Sequence, residues 1–121
     1  MREPATPIVK PKITYGAVVG QVIQHHRKRA GIGQEAVAQA LGITQSAYSR
    51  LEQGQSAMTV TQLRVIAERL RTAAASLLHQ ADLFAARLHA QGVEVTDEKG
   101  VSPAAVLVAL GILAAILASR K

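Results

Sequence analysis

The chain has 121 residues, room for one domain plus an appendage, and 49% of them are hydrophobic while only 2% are aromatic. Alanine and leucine must therefore fill the core, which favours closely packed helices over sheets. Fourteen basic against eight acidic residues give a formal charge of +6, suited to a polyanionic partner such as nucleic acid or a membrane surface, and the absence of cysteine excludes disulfide scaffolds and Cys-ligated zinc.

Residues 1–12, MREPATPIVKPK, hold prolines at Pro4, Pro7 and Pro11. These block a helix, so residues 1–13 read as a flexible basic arm. Arg2, Lys10 and Lys12 could reach DNA phosphates, and Ile8 and Val9 could add an edge strand to a partner. A plain disordered terminus is the favoured reading. No apolar signal-peptide region occurs in the first thirty residues, so the cytoplasm is the expected location.

The first helix is predicted from Thr14, whose hydroxyl can cap it, to Ala30 before Gly31. Val18, Val19, Val22, Ile23 and His26 fall on one broad face. The helix ends in His25-His26-Arg27-Lys28-Arg29, cations that complement the helix dipole without any partner. Adjacent helical histidines point about 100° apart, so His25 and His26 cannot easily share an ion. His79 and His89 lie ten residues apart and offer no site either. No metal and no cofactor are expected.

Residues 32–54, IGQEAVAQALGITQSAYSRLEQG, organise the chain. They read as two short helices around a tight turn. The first, residues 34–41, sets Val37, Ala38 and Leu41 at helical spacing, and Gly42 follows where a C-cap needs positive φ. Ile43 plugs the turn and Thr44 caps the next helix. That helix, about 44–53, turns Ala47, Tyr48 and Leu51 inward, and Gly54 stops it. Its outer face carries Gln45, Ser46, Ser49 and Arg50, groups able to pair with base edges in a DNA major groove.

This stretch, with the helices on either side, resembles the Cro and phage-repressor (XRE) type of helix-turn-helix DNA-binding domain. The matching residues are Gly31-Ile32-Gly33-Gln34-Glu35, Ala38, Leu41-Gly42-Ile43, Gln45-Ser46 and Ser49-Arg50-Leu51-Glu52-Gln53-Gly54. The likeness runs continuously over about residues 17–78. It implies that Arg27 pairs with Glu52 in a buried structural salt bridge. It implies that Gln34 bonds a phosphate and braces the reading helix. Thr44 and the backbone amide near Gln53 look like further phosphate contacts. Gln45, Ser46 and Arg50 match base-reading positions, with Ser49 a weaker candidate. Gln prefers adenine and Arg guanine. Tyr48 stands where the family is usually apolar, so its ring is expected inside and its hydroxyl near the surface.

A loop over 55–59 leads to a fourth helix, capped by Thr59 or Thr61 and running through Leu70, with Leu63, Ile66, Ala67 and Leu70 as its stripe. The family usually breaks here with glycine. Arg71-Thr72-Ala73-Ala74-Ala75 stands instead, so no clear stop is visible. The next helix ends at Gly92, and its Leu77, Ala81, Phe84 and Leu88 form a short coiled-coil-like seam. This seam either closes the core of its own domain or pairs with a second subunit.

Residues 93–102, VEVTDEKGVS, read as a linker, with Val93-Glu94-Val95 a candidate strand. Pro103 suits the first turn of a last helix. Residues 104–118, AAVLVALGILAAILA, contain no polar side chain and no amphipathic stripe. As a helix they span about 22 Å against a hydrocarbon thickness of ~30 Å, and starting from Val101 they reach the borderline for a membrane span. Gly111 and Ala115 permit close helix approach. Arg120 and Lys121 would be exported while Asp97 and Glu98 stayed inside, which argues against an anchor. A buried helix is favoured over a membrane anchor, and the cover it needs predicts self-association.

Asp97 and Glu98 are the only adjacent acids, the histidines lack a nucleophile partner, and no phosphate-binding glycine loop occurs. An enzyme is not expected. The chain therefore reads as an all-α, five-helix repressor-like domain over 14–92 with an extended fifth helix, joined by the linker to an apolar helix over 103–121. The expected function is a sequence-specific transcriptional regulator, a repressor, reading a pseudo-palindromic operator in double-stranded DNA as a homodimer. The alternative keeps the fold but makes the protein antitoxin-like or accessory, its tail at 103–119 engaging a partner protein or the membrane.

Overall fold

The computed structural model describes residues 9–97 and 100–119. Arg2, Pro4, Pro7 and Ile8 of the arm, Glu98 of the linker, and Arg120 and Lys121 beyond the last helix lie outside the described residues. The elements run β1 (Lys12–Thr14), α1 (Tyr15–Arg29), α2 (Gln34–Leu41), α3 (Gln45–Glu52), α4 (Val60–Arg69), α5 (Ala74–Ala90), β2 (Glu94–Thr96) and α6 (Pro103–Ala118). The architecture is all-α apart from one two-stranded ribbon.

Side-chain caps fix where most helices start. Thr14 accepts from the Ala17 amide at 3.1 Å, Thr44 from Ala47 at 3.1 Å, and Ser102 from Ala105 at 3.2 Å. Thr59 and Gln62 form a reciprocal capping box, so Thr59 and not Thr61 opens α4. The core is aliphatic, as the composition requires. Val18, Val22 and Ile23 of α1, Val37 of α2, Ile66 of α4 and Leu77, Ala81 and Leu88 of α5 are all fully or almost fully buried. The seam on α5 thus closes the chain's own core, mostly against α1.

The break between α4 and α5 falls at Arg71, which adopts φ 58°, the left-handed conformation that favours glycine. Its amide bonds the Glu68 carbonyl, and Thr72 reaches back to Ala67 at 2.9 Å. These bonds close the helix end as a glycine would, at a conformational cost of about 1–2 kcal/mol for a residue bearing a Cβ. The stop was invisible in the sequence because its usual residue is missing.

Two segments differ from expectation. Lys12 and Ile13, assigned to the arm, stand in β1, which pairs in parallel with β2 in the register Lys12↔Glu94, Ile13↔Val95, Thr14↔Thr96. Ile13 is completely buried and Lys12 pairs with Glu94 at 3.4 Å. The segment assigned as linker therefore contributes a strand, shifted one residue from Val93–Val95. Val93 itself is buried behind the turn at Gly92, where φ is 83°. A parallel pair needs a long crossover, and α1 to α5 supply it. α6 then lies on β1 and α5, burying Ala105, Ala109, Leu113 and Ile116. Among the described residues no helix is long and apolar enough to cross a membrane.

Candidate nucleic-acid interface

The two motif helices are held by backbone contact with α1. Gly20 lies in mid-α1, and a Cβ built there would fall inside the carbonyl group of Glu52. At the other end, a Cβ on Gly54 (φ 75°) would stand 2.6 Å from the Ala17 amide nitrogen. Only glycine permits α1 and the end of α3 to approach this closely. Gly54 was legible as a helix stop. Gly20 was not, because a lone glycine in a helical pattern reads only as a weak helix former.

Glu52, at the last turn of α3, points inward and gathers four donors. Arg27 Nε donates to Oε2 at 3.0 Å and Nη2 to Oε1 at 2.8 Å. Tyr48 Oη donates to Oε2 at 2.6 Å, and Gln34 Nε2 to Oε1 at 3.2 Å. Arg27 spends a further N–H on the Ile32 carbonyl at 3.0 Å, which ties the α1–α2 loop to the same centre. The Arg27 and Glu52 side chains are 8% and 2% exposed, so neither is available to an outside ligand. Burial alone would push the Glu52 carboxyl up. The hydrogen bonds from Arg27, Tyr48 and Gln34, with the Arg27 charge, outweigh it and hold the group below its ordinary value. Tyr48 is fully buried, hydroxyl included, which corrects the expected surface hydroxyl. Its phenol is held protonated far above its ordinary value, first by burial and then by its bond to Glu52.

The network continues outward. Gln34 Oε1 accepts from Gln45 Nε2 at 3.2 Å, so the first side chain of α3 is tied through Gln34 to the buried pair. Gln34 is half-buried. Thr44, Gln45, Ser46, Arg50 and Gln53 are exposed, and Ser49 is half-buried beneath a 3.2 Å bond from Gln53 Nε2. The outer face of α3 thus gathers all of the predicted base-facing residues on one side. It carries the Arg50 charge and no carboxylate, since Glu52 is turned inside. Arg50 has no side-chain partner among the described residues.

One assigned contact changes in kind. The Gln53 backbone amide donates to the Ser49 carbonyl at 3.0 Å, and the amides of Gly54, Gln55 and Ser56 are likewise committed to Leu51 and Arg50 carbonyls. This is the C-terminal end of α3, where amides are used up by the helix itself. No amide there is left for a phosphate, and only the Gln53 side chain remains a candidate. The start of α2 differs: Gly33 provides no side-chain cap for the first-turn amides beside Gln34, although Glu35 sets a carboxylate in the same turn.

The family described as "helix-turn-helix domain" matches residues 18–80, just over half of the chain. Two solved structures of the clp gene regulator ClgR from Corynebacterium glutamicum share the fold. One is 22% identical with a TM-score of 0.61, covering 64% of this chain and 82% of that one. The other is 19% identical with a TM-score of 0.52, covering 64% of this chain and 92% of that one. No curated protein matches. With residues 18–80 matched and α2, the Gly42 turn and α3 in place, the chain belongs to the helix-turn-helix domain family, whose two-helix unit is a DNA-binding motif.

Proposed function

We propose that this protein is a sequence-specific transcriptional regulator of the Cro and phage-repressor (XRE) type. It acts as a repressor in the cytoplasm, binding a pseudo-palindromic operator as a homodimer. The observation that carries this reading is the bonded chain from buried Arg27 through Glu52 and Gln34 to Gln45. It fixes the outer face of α3 before any ligand arrives, which lowers the entropy lost on binding. The fold likeness to a clp gene regulator supports a regulatory role.

In this reading α3 enters the major groove. Gln45 keeps its Oε1 free to pair with adenine, and Arg50 offers a bidentate fork to guanine. Ser46 and Ser49 discriminate weakly. The Thr44 hydroxyl, whose oxygen already accepts from Ala47, still has its proton to give to a phosphate. Gln34, with the amides of α2, and the Gln53 side chain complete the backbone contacts. Lys10, exposed ahead of β1, adds a screened charge.

The test is specific binding by Gln45→Ala and Arg50→Ala, measured by fluorescence anisotropy on a selected operator. Each should lose about 1–3 kcal/mol, roughly 5- to 150-fold in Kd. Thermal stability should hold, because both side chains are exposed. Unchanged affinity in both variants would refute α3 as the reading element.

A further inference from the structure

The end of α1, its loop into α2 and the turn between α4 and α5 border an open hollow of about 360 Å³. Ala30, Ile32, Arg69, Leu70 and Arg71 line it. Both arginines are exposed, and neither has a hydrogen-bond or ion-pair partner among the described residues. Lys28 and Arg29, in the last turn of α1 beside Ala30, are exposed and unpaired in the same sense. The turn itself does not call for Arg71. Its closing bonds come from backbone amides, and its φ of 58° suits glycine better than a residue with a Cβ. A cation therefore stands where the backbone favours no side chain at all.

We propose that this hollow receives DNA backbone phosphate, giving each bound chain a contact through Arg69 and Arg71 beyond the two motif helices. The proposal rests on the DNA-binding reading above and extends its footprint. Charge selects the ligand. The ends of α1 and α4 each bring about half a negative charge, and the start of α5 about half a positive one. Glu35, exposed in the first turn of α2, adds a full negative charge, while Glu68 is paired with Arg64 at 3.8 Å. The Lys12–Glu94 pair lies by the opposite end of α1, about 22 Å along that helix and beyond the ~8 Å screening length. Lys28, Arg29, Arg69 and Arg71 outweigh the negative groups by roughly two charges, more than the helix ends require. An apolar or cationic ligand gains nothing from that surplus, whereas phosphate oxygens accept from a guanidinium fork.

Position selects DNA among anions. Ile32 lines the hollow two residues before Gln34, so their Cα atoms are at most about 7 Å apart. Gln34 in turn accepts from Gln45, the first residue of α3, at 3.2 Å. A duplex seated on α3 with a phosphate at Gln34 therefore carries the same strand past the rim of the hollow. Its phosphates recur every ~3.4 Å along the helix axis. Four cations spread over the ends of two helices match such a repeating anion better than one small ion.

The experiment is the salt dependence of DNA affinity for the full chain, read by fluorescence anisotropy on a selected operator between about 50 and 200 mM salt. Each phosphate contact contributes about 0.9 to the slope of log affinity against log salt. Arg69→Gln with Arg71→Gln should therefore reduce the slope by roughly two per bound chain. Over that range the wild-type advantage should shrink at least ~10-fold. The ratio of affinities for the operator and a scrambled duplex should hold, since phosphates carry no sequence information. Arg71→Gly removes the charge and suits the backbone, so it should keep the wild-type melting temperature and reduce the slope by about one. Arg87→Gln makes the same charge change about 20 Å along α5 and should leave the slope as it is. An unchanged slope in the double variant, or an equal fall in Arg87→Gln, would overturn the proposal. So would calorimetric binding of inorganic phosphate to wild type but not to the double variant, with the DNA slopes equal, which would make the hollow a small-anion site. A slope that falls in the double variant of a protein without operator preference would defeat base reading by α3 and leave this contact standing.

Discussion

Glu52→Ala should cost about 3–5 kcal/mol of stability, a large part of the ~5–15 kcal/mol available to a domain of this size. The loss comes less from the attraction removed than from what is left behind. The Arg27 guanidinium stays buried with its donors to Glu52 unmet, and the Tyr48 hydroxyl loses its acceptor in the core. Chemical denaturation of wild type and variant measures it. A loss below ~1 kcal/mol would show that water replaces the carboxylate freely, against the burial described here.

The same carboxylate sets an acid limit. Its value in the folded protein is held below the ordinary 4.5, so its contribution is complete above 4.5 and disappears as pH falls towards the lowered folded value. Wild type should therefore lose stability below about pH 4.5 more steeply than Glu52→Gln. The triple change Arg27→Met, Tyr48→Phe and Glu52→Leu removes both buried charges and the phenol together, leaving only the part-buried Ile32 carbonyl and Gln34 without these partners, and should recover much of the stability. Its DNA affinity should stay low, because Gln34 then has no anchor from which to hold Gln45. Separation of the two readouts would assign the network a positioning role beyond its structural one.

Gly20→Ala should destabilise by about 3 kcal/mol, at the upper end for overpacking, since the added methyl meets backbone that cannot change rotamer. Ordinary helix propensity predicts the opposite sign, a gain of about 1 kcal/mol. Gly16→Ala is the internal control. A Cβ at Gly16 meets nothing within 4 Å, so there the propensity gain should appear. Thermal denaturation of the pair decides the matter: two stabilised variants would mean that α1 and α3 are not in backbone contact.

The helices and their ends were largely legible because they rest on local chemistry. Thr14, Thr44 and Thr59 cap, while Gly31, Gly42, Gly54 and Gly92 take positive φ where the apolar periodicity stops. The polar outer face of α3 was legible for the same reason, as the complement of its apolar stripe. What escaped depends on distant parts of the chain. A three-residue strand is too short to show alternation, so Ile13 gave no hint of its burial beneath α6. Gly20 matters only because Glu52 crosses it, and the Tyr48 hydroxyl is satisfied only because Glu52 turns inward. α6 is apolar all round, so no stripe could say which side faces α5 and β1.

The most direct test of the account is selection of binding sites from random duplex DNA by wild type and by Arg50→Ala. Wild type should enrich two related half-sites in inverted orientation, centred about one helical turn apart, each with a guanine that Arg50→Ala ceases to require while the remaining positions persist. An identical preference from both proteins, or no enrichment by wild type at low salt, would contradict DNA reading by α3.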